Sequence, residues 1–222
     1  MPAKSLRIKI KAGLDVSALL LAPARPKACF VLAHGAGAGM GHRFMEAAAA
    51  GLNDRGVATL RFQFPYMESG GRRPDPPALA QAAVRAAVST ANTQLAGVRL
   101  IAGGKSFGGR MTSQAQAEAP LANVQGLAFL GFPLHPAGKP STARAQHLSV
   151  VRIPMLFLQG TRDALADPAL MQDVTGTLKD RATLLEFADA DHSFHVPARS
   201  GRTDDQVLND MLDALVDWIG RL

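Results

Sequence analysis

A chain of 222 residues, 47% of them apolar and 19% charged, is long enough to bury one sizeable core and too apolar to stay disordered. Its formal charge of +6 raises the question of nucleic acid, but the basic residues are scattered apart from Arg72-Arg73. One Trp and one Tyr leave little to stack on bases, so no nucleic-acid partner is expected.

The single cysteine, Cys29, forms no internal disulfide, which fits a reducing compartment and a cytoplasmic location. The early apolar run Val16–Ala22 contains Ser17 and stops at Pro23, too short for a membrane span and without the layout of a signal peptide.

In chain order, Ser5–Lys11 and Asp15–Ala22 alternate like an antiparallel hairpin turning at Ala12-Gly13. Short apolar runs follow at Cys29–Ala33, Ala58–Phe64, Val98–Ala102, Gly126–Gly131, Pro154–Gly160 and Thr183–Phe187, several without a polar break, as in strands covered on both faces. Between them, helices are predicted over Arg43–Arg55, Ala78–Leu95, Arg110–Ala119 and Pro168–Lys179, the last with Asp167 as N-cap and Pro168 at its first position.

The final helix opens with capping-box spacing at Thr203 and Gln206 and shows one apolar face of Val207, Met211, Ala214, Leu215, Trp218 and Ile219. Strands alternating with helices predict a single domain over residues 1–222, with a mostly parallel sheet covered on both sides. Two irregular segments, Pro65–Pro77 and Phe132–Ile153, are too long for plain connections and are expected to border a functional site.

The chemistry centres on Gly104-Lys105-Ser106-Phe107-Gly108, a G-x-S-x-G run between an apolar strand and a helical stretch. In that setting a serine sits on a tight turn with its hydroxyl above the sheet edge, and the glycines let strand and helix approach closely. Gly104-Lys105-Ser106 also imitates the end of a phosphate-binding loop, but the required first glycine would fall at Arg99, so a nucleotide site is excluded.

A serine hydroxyl needs a base, and the base needs a carboxylate to orient it. Asp163 follows the strand Pro154–Gly160 and His192 follows the next one, in the chain order Ser, Asp, His. Ser106 is therefore the expected nucleophile, His192 the base and Asp163 its orienting acid. Asp167 and Asp191 suit the last role less well, being a predicted helix cap and the base's own neighbour.

Acyl transfer also builds charge on a carbonyl oxygen. The run His34-Gly35-Ala36-Gly37-Ala38-Gly39 after the strand Cys29–Ala33 supplies backbone amides, and the expected donors are Ala36, with Gly37 as the alternative, and Phe107. His34, Gly35, Gly37, Tyr66, Lys105, Phe132 and His135 are candidates for substrate binding, with His34 read chiefly as orienting its loop. His192 and His195 are three apart, but no thiolate or carboxylate cluster completes a familiar site, so no metal is expected. Cys29 reads as a buried strand residue.

These motifs resemble the α/β-hydrolase superfamily, in particular its small dienelactone-hydrolase-like members and the group of testis-expressed and NSL-complex-subunit hydrolase-like proteins. The resemblance rests on His34–Gly39, Arg61-Phe62-Gln63-Phe64-Pro65-Tyr66, Gly103–Arg110, Gly131–Pro140, Gln159–Asp163 and Asp191–Val196. It implies an eight-stranded sheet with little or no cap domain, a carboxyl-edge site without cofactor, and a triad at Ser106, Asp163 and His192. Dienelactone hydrolases carry cysteine where this chain has Ser106, which points away from dienelactone. The expected function is hydrolysis of small or short-chain esters; the alternatives are an acyl-thioesterase and a silent interaction module of the same fold.

Overall fold

The computed structural model describes residues 2–222. Eight strands form one sheet: β1 (Lys4–Lys11), β2 (Leu14–Leu21), β3 (Ala28–Ala33), β4 (Val57–Phe62), β5 (Leu100–Lys105), β6 (Val124–Leu130), β7 (Met155–Gly160) and β8 (Ala182–Phe187). Their order across the sheet is β1-β2-β4-β3-β5-β6-β7-β8. β1 and β2 form the antiparallel entry hairpin, β2 adds antiparallel to β4, and the remaining pairs are parallel. β3 through β7 are buried along nearly their whole length because helices cover both faces.

On one face, α1 (Arg43–Asp54) and α6 (Asp204–Gly220) bury Met45, Leu52, Val207, Met211, Leu215 and Trp218 against Phe30, Leu32 and Leu156. On the other, α3 (Pro77–Gln94), α4 (Phe107–Glu118) and α5 (Pro168–Leu178) pack Val84, Met111 and Met171 against Val31, Phe129 and Phe157. The predicted caps are in place: Asp167 accepts from the Leu170 N–H, and Thr203 and Gln206 form a reciprocal capping box. Among the described residues, no helix is long and apolar enough to cross a membrane.

Three expectations shift. β5 runs to Lys105 instead of ending at Ala102, because Gly103 and Gly104 stay extended and pair with Leu32 and Ala33 of β3 and with β6. α4 begins at Phe107, three residues before the predicted Arg110, since two glycines of low helix propensity disguise its first turn. The Pro65–Pro77 segment holds a short helix, α2 (Pro65–Glu68), that starts on a proline.

The order of strands reverses direction between β3 and β5: the chain leaves β3 toward β4 on one side and resumes at β5 on the other. That switch point opens a crevice at the carboxyl ends of the two strands, where open α/β sheets bind ligands. Between β6 and β7, residues 131–154 contain only a 3₁₀ helix, Ala143–Val150, and no cap domain is inserted.

Candidate active site

Ser106 is the turn between β5 and α4. Its backbone lies at φ 50°, ψ −116°, a conformation L-residues adopt at a cost of about 1–3 kcal/mol and which persists only where the surroundings impose it. They do so here through two glycines. A Cβ on Gly104 would lie 2.1 Å from the Ala33 carbonyl oxygen, and one on Gly108 would lie 2.5 Å from the same atom. Both flanks of the serine therefore press on the end of β3, and the turn is sharp because strand and helix are that close.

Above this turn the imidazole of His192 bridges two groups. Its Nε2 is 2.8 Å from the Ser106 hydroxyl oxygen and its Nδ1 is 2.6 Å from Asp163 Oδ2. The Asp163 side chain is fully buried, and the His192 side chain is 25% exposed. An ionised carboxylate in that position is an acceptor only, so Nδ1 carries the proton and donates, leaving Nε2 to accept from the serine.

Asp163 is held by further donors. The Gln159 amide Nε2 donates to its Oδ2 at 2.6 Å and the Leu165 N–H to its Oδ1 at 2.8 Å. Gln159 in turn accepts from the Phe132 N–H at 2.9 Å. Sequence reasoning passed over Gln159, although a polar residue in the otherwise apolar strand Met155–Gly160 was a usable signal, because a buried amide must be paired. Replacing Gln159 by Leu removes a donor to a charged group, worth about 1.5–3 kcal/mol. The expected result is a roughly 10- to 100-fold loss in kcat with KM unchanged, read from steady-state kinetics.

The glycine-rich loop after β3 is clamped by the Arg61-to-Tyr66 stretch. Arg61 donates to the Met40 carbonyl at 3.0 Å, Gln63 accepts from the Met40 N–H at 2.8 Å, and the Tyr66 hydroxyl accepts from the Gly37 N–H at 2.9 Å. Arg61 and Gln63 were also missed; the signal for Arg61 was a charge inside the buried strand β4.

His34 completes the clamp. Its Nε2 accepts from the Phe64 N–H at 3.0 Å and its Nδ1 donates to the Gly35 carbonyl at 2.7 Å. Because the C=O and N–H of a trans peptide point to opposite sides, holding the Gly35 carbonyl turns the Ala36 N–H the other way. Among the described residues nothing accepts from that N–H, whereas the Gly37 N–H is already spent on Tyr66. Phe107, the first residue of α4, offers a second N–H with no carbonyl one turn back.

Burial holds the His34 imidazole down to about 4, from an ordinary 6.5, so it is neutral in the folded protein. An unfolded chain takes up that proton below about pH 6.5, which makes the stabilising effect complete above that pH and progressively lost down to about 4. The loss amounts to about 3 kcal/mol. His147, half-buried, beside Ser113 and repelled by Arg110, is held down to about 4 and adds a slope of the same sign. Urea unfolding between pH 4 and 7 reads this, and His34→Gln is expected to remove about one proton's worth of the slope.

The other sequence candidates are placed as follows. Gly35 lies against the elbow, where a Cβ would be 3.7 Å from Ser106 Cβ. Tyr66 is buried under the glycine-rich loop. The Phe132 ring is buried in the core against Phe129 and Phe157. His135 is also buried; its Nε2 accepts from the Asp167 N–H at 2.9 Å, tying the loop after β6 to the start of α5. Lys105 turns to the His192 carbonyl. Burial pushes the Cys29 thiol up to about 12, and it lies in β3 away from this chemistry. Among the described residues no group of three or more His, Cys, Asp or Glu side chains is placed to hold a metal ion.

The strand order, the serine on a strained turn after β5, and the acid and imidazole after β7 and β8 define an α/β-hydrolase. The chain belongs to the family described as Alpha/beta hydrolase domain, which it matches over residues 26–220. Among solved structures, an α/β serine hydrolase without a lid from Xanthomonas campestris is similar at a TM-score of 0.76 and 22% identity, over 100% of this chain and 95% of that one. A dienelactone hydrolase from Anabaena variabilis matches at 0.76 and 20%, over 100% and 99%. The esterase domain of a Rhodothermus marinus protein matches at 0.76 and 17%, over 100% and 99%. At these identities the likeness is one of fold.

Proposed function

We propose that the protein is a serine hydrolase that cleaves small or short-chain carboxylic esters through an acyl-enzyme. The observation that carries this reading is the imidazole of His192, within hydrogen-bond reach of the Ser106 hydroxyl on one side and the Asp163 carboxylate on the other. Nε2 takes the serine proton as Oγ attacks the ester carbonyl. The new oxyanion is met by the N–H groups of Ala36 and Phe107, and the helix N-terminus behind Phe107 favours that charge. His192 then gives its proton to the departing alcohol. A water loses a proton to the same nitrogen as it attacks the acyl carbon, and the nitrogen returns that proton to Ser106 Oγ as the acid departs. The sequence of steps balances with ester and water alone.

Small esters are favoured because the β6–β7 connection carries one 3₁₀ helix, too little to enclose a long acyl chain. The lone buried thiol supports a cytoplasmic location, in a reducing compartment. A fluorophosphonate probe should label the wild type and leave Ser106→Ala unlabelled; equal labelling of both, or labelling of neither, overturns the assignment. A panel of p-nitrophenyl esters and acyl thioesters then separates an esterase, with turnover falling as the acyl chain lengthens, from a thioesterase. No turnover with any of them would leave an interaction module.

A further inference from the structure

The acyl-transfer steps make no use of Lys105, the residue that ends β5 immediately before the nucleophile. Its ammonium does not point at open solvent. It donates to the His192 carbonyl at 2.5 Å and lies 5.5 Å from the centroid of the Phe194 ring. Gly131, at the end of β6, makes room for it: a Cβ there would be 3.0 Å from Lys105 Nζ and 3.5 Å from the His192 ring.

The backbone of the turn that carries His192 is otherwise bonded within the turn. The Asp191 N–H donates to the His195 carbonyl, the Phe194 N–H to the Asp191 carbonyl, and the N–H groups of Ser193 and His195 to the Asp191 carboxylate. Among the described residues, Lys105 makes the one hydrogen bond from the backbone of residues 191–195 to the strand bearing the nucleophile. A charged donor makes a bond roughly twice as strong as a neutral one.

We propose that Lys105 is a positioning residue, whose ammonium holds the His192 carbonyl and thereby keeps the imidazole over the Ser106 hydroxyl. The proposal rests on the serine-hydrolase reading above. The groups that face the amine are Asp163 after β7 and Asp191 after β8, both favouring its charge, and the imidazole of His192. Burial outweighs the two carboxylates and pulls the ammonium down to about 8, so the charge-assisted hold weakens as pH rises through that value.

The test compares wild type, Lys105→Met and Lys105→Arg. Methionine removes a desolvated charge and keeps the bulk, so the variant is expected to fold with stability equal to or above wild type. Its kcat for a short p-nitrophenyl ester should fall by about 10- to 100-fold with KM within about twofold, as for a base displaced by a fraction of an ångström to 1 Å. Hydrogen exchange of amides 191–195 at pH 7 should quicken. Wild-type kcat should decline above about pH 8, and Lys105→Arg should lack that decline, because a guanidinium keeps its proton. Wild-type kcat and wild-type exchange in Lys105→Met would overturn the proposal. Should Ser106→Ala hydrolyse the ester as fast as wild type, the hydrolase reading fails instead, and the exchange measurement still decides whether Lys105 holds the turn: unchanged protection counts against it.

Discussion

Replacing Ser106 by Ala is expected to lower kcat for a short p-nitrophenyl ester by roughly 10⁴- to 10⁶-fold, with the fold intact. Alanine meets the same backbone at φ 50° that serine does, so the strain is unchanged and the thermal midpoint should stay within a few degrees. What disappears is the nucleophile 2.8 Å from His192 Nε2. His192→Ala should cost about as much, because a serine without its base is inert at neutral pH. The double variant should be no slower than either single one, since residues that act as a unit are not additive. Multiplying losses in the double variant would mean that the two side chains work independently, which the bridging imidazole does not allow.

Gly104→Ala is expected to destabilise the protein by about 3 kcal/mol or more. Its Cβ would meet the Ala33 oxygen at 2.1 Å and the Ala33 carbonyl carbon and nitrogen at 2.8 Å, all of them backbone atoms of β3 that no rotamer change can clear. Relief requires β5 to move away from β3 at the switch point, and that movement would carry Ser106 away from the Gly35–Ala36 peptide. Any folded fraction should therefore be slow as well as unstable. Gly176→Ala is the control: in α5, with nothing within 4 Å of its Cβ and no positive φ, it should gain about 0.5–1 kcal/mol. Urea unfolding of the two variants side by side reads both signs, and equal midpoints would refute the packing argument for the elbow.

Much of this is legible in the order of residues alone. The apolar runs Cys29–Ala33 and Pro154–Gly160 announce a sheet covered on both faces, and the capping signals at Asp167 and Thr203 mark helix starts that the structure contains. Less legible were the glycine-rich boundaries. Gly103, Gly104, Gly108 and Gly109 carry no side chain to betray an element, so β5 read too short and α4 started too late.

Phe132 and His135 read as pocket residues because a segment between strands can face either way, and periodicity does not say which. The structure turns both inward, where the Phe132 N–H and the His135 ring hold Gln159 and the Asp167 N–H. Arg61, Gln63 and Gln159 escaped for a related reason. Arg61 and Gln159 stand out as polar residues within apolar strands, but what they hold, the Met40 carbonyl and the Phe132 N–H, lies on other segments of the chain, as does the Met40 N–H from which Gln63 accepts.

The alternation of strand and helix, the serine between two glycines and the order in which acid and imidazole follow it can all be read from the residues in line, because these depend on residue type and spacing along one chain. That the imidazole joins the two, that Lys105 turns to the His192 carbonyl, and that His34 takes the Phe64 N–H and Tyr66 the Gly37 N–H emerge only once the chain is folded. Those are contacts across 29 to 87 positions of sequence, fixed by the register of neighbouring strands and by how closely β3, β5 and α4 pack.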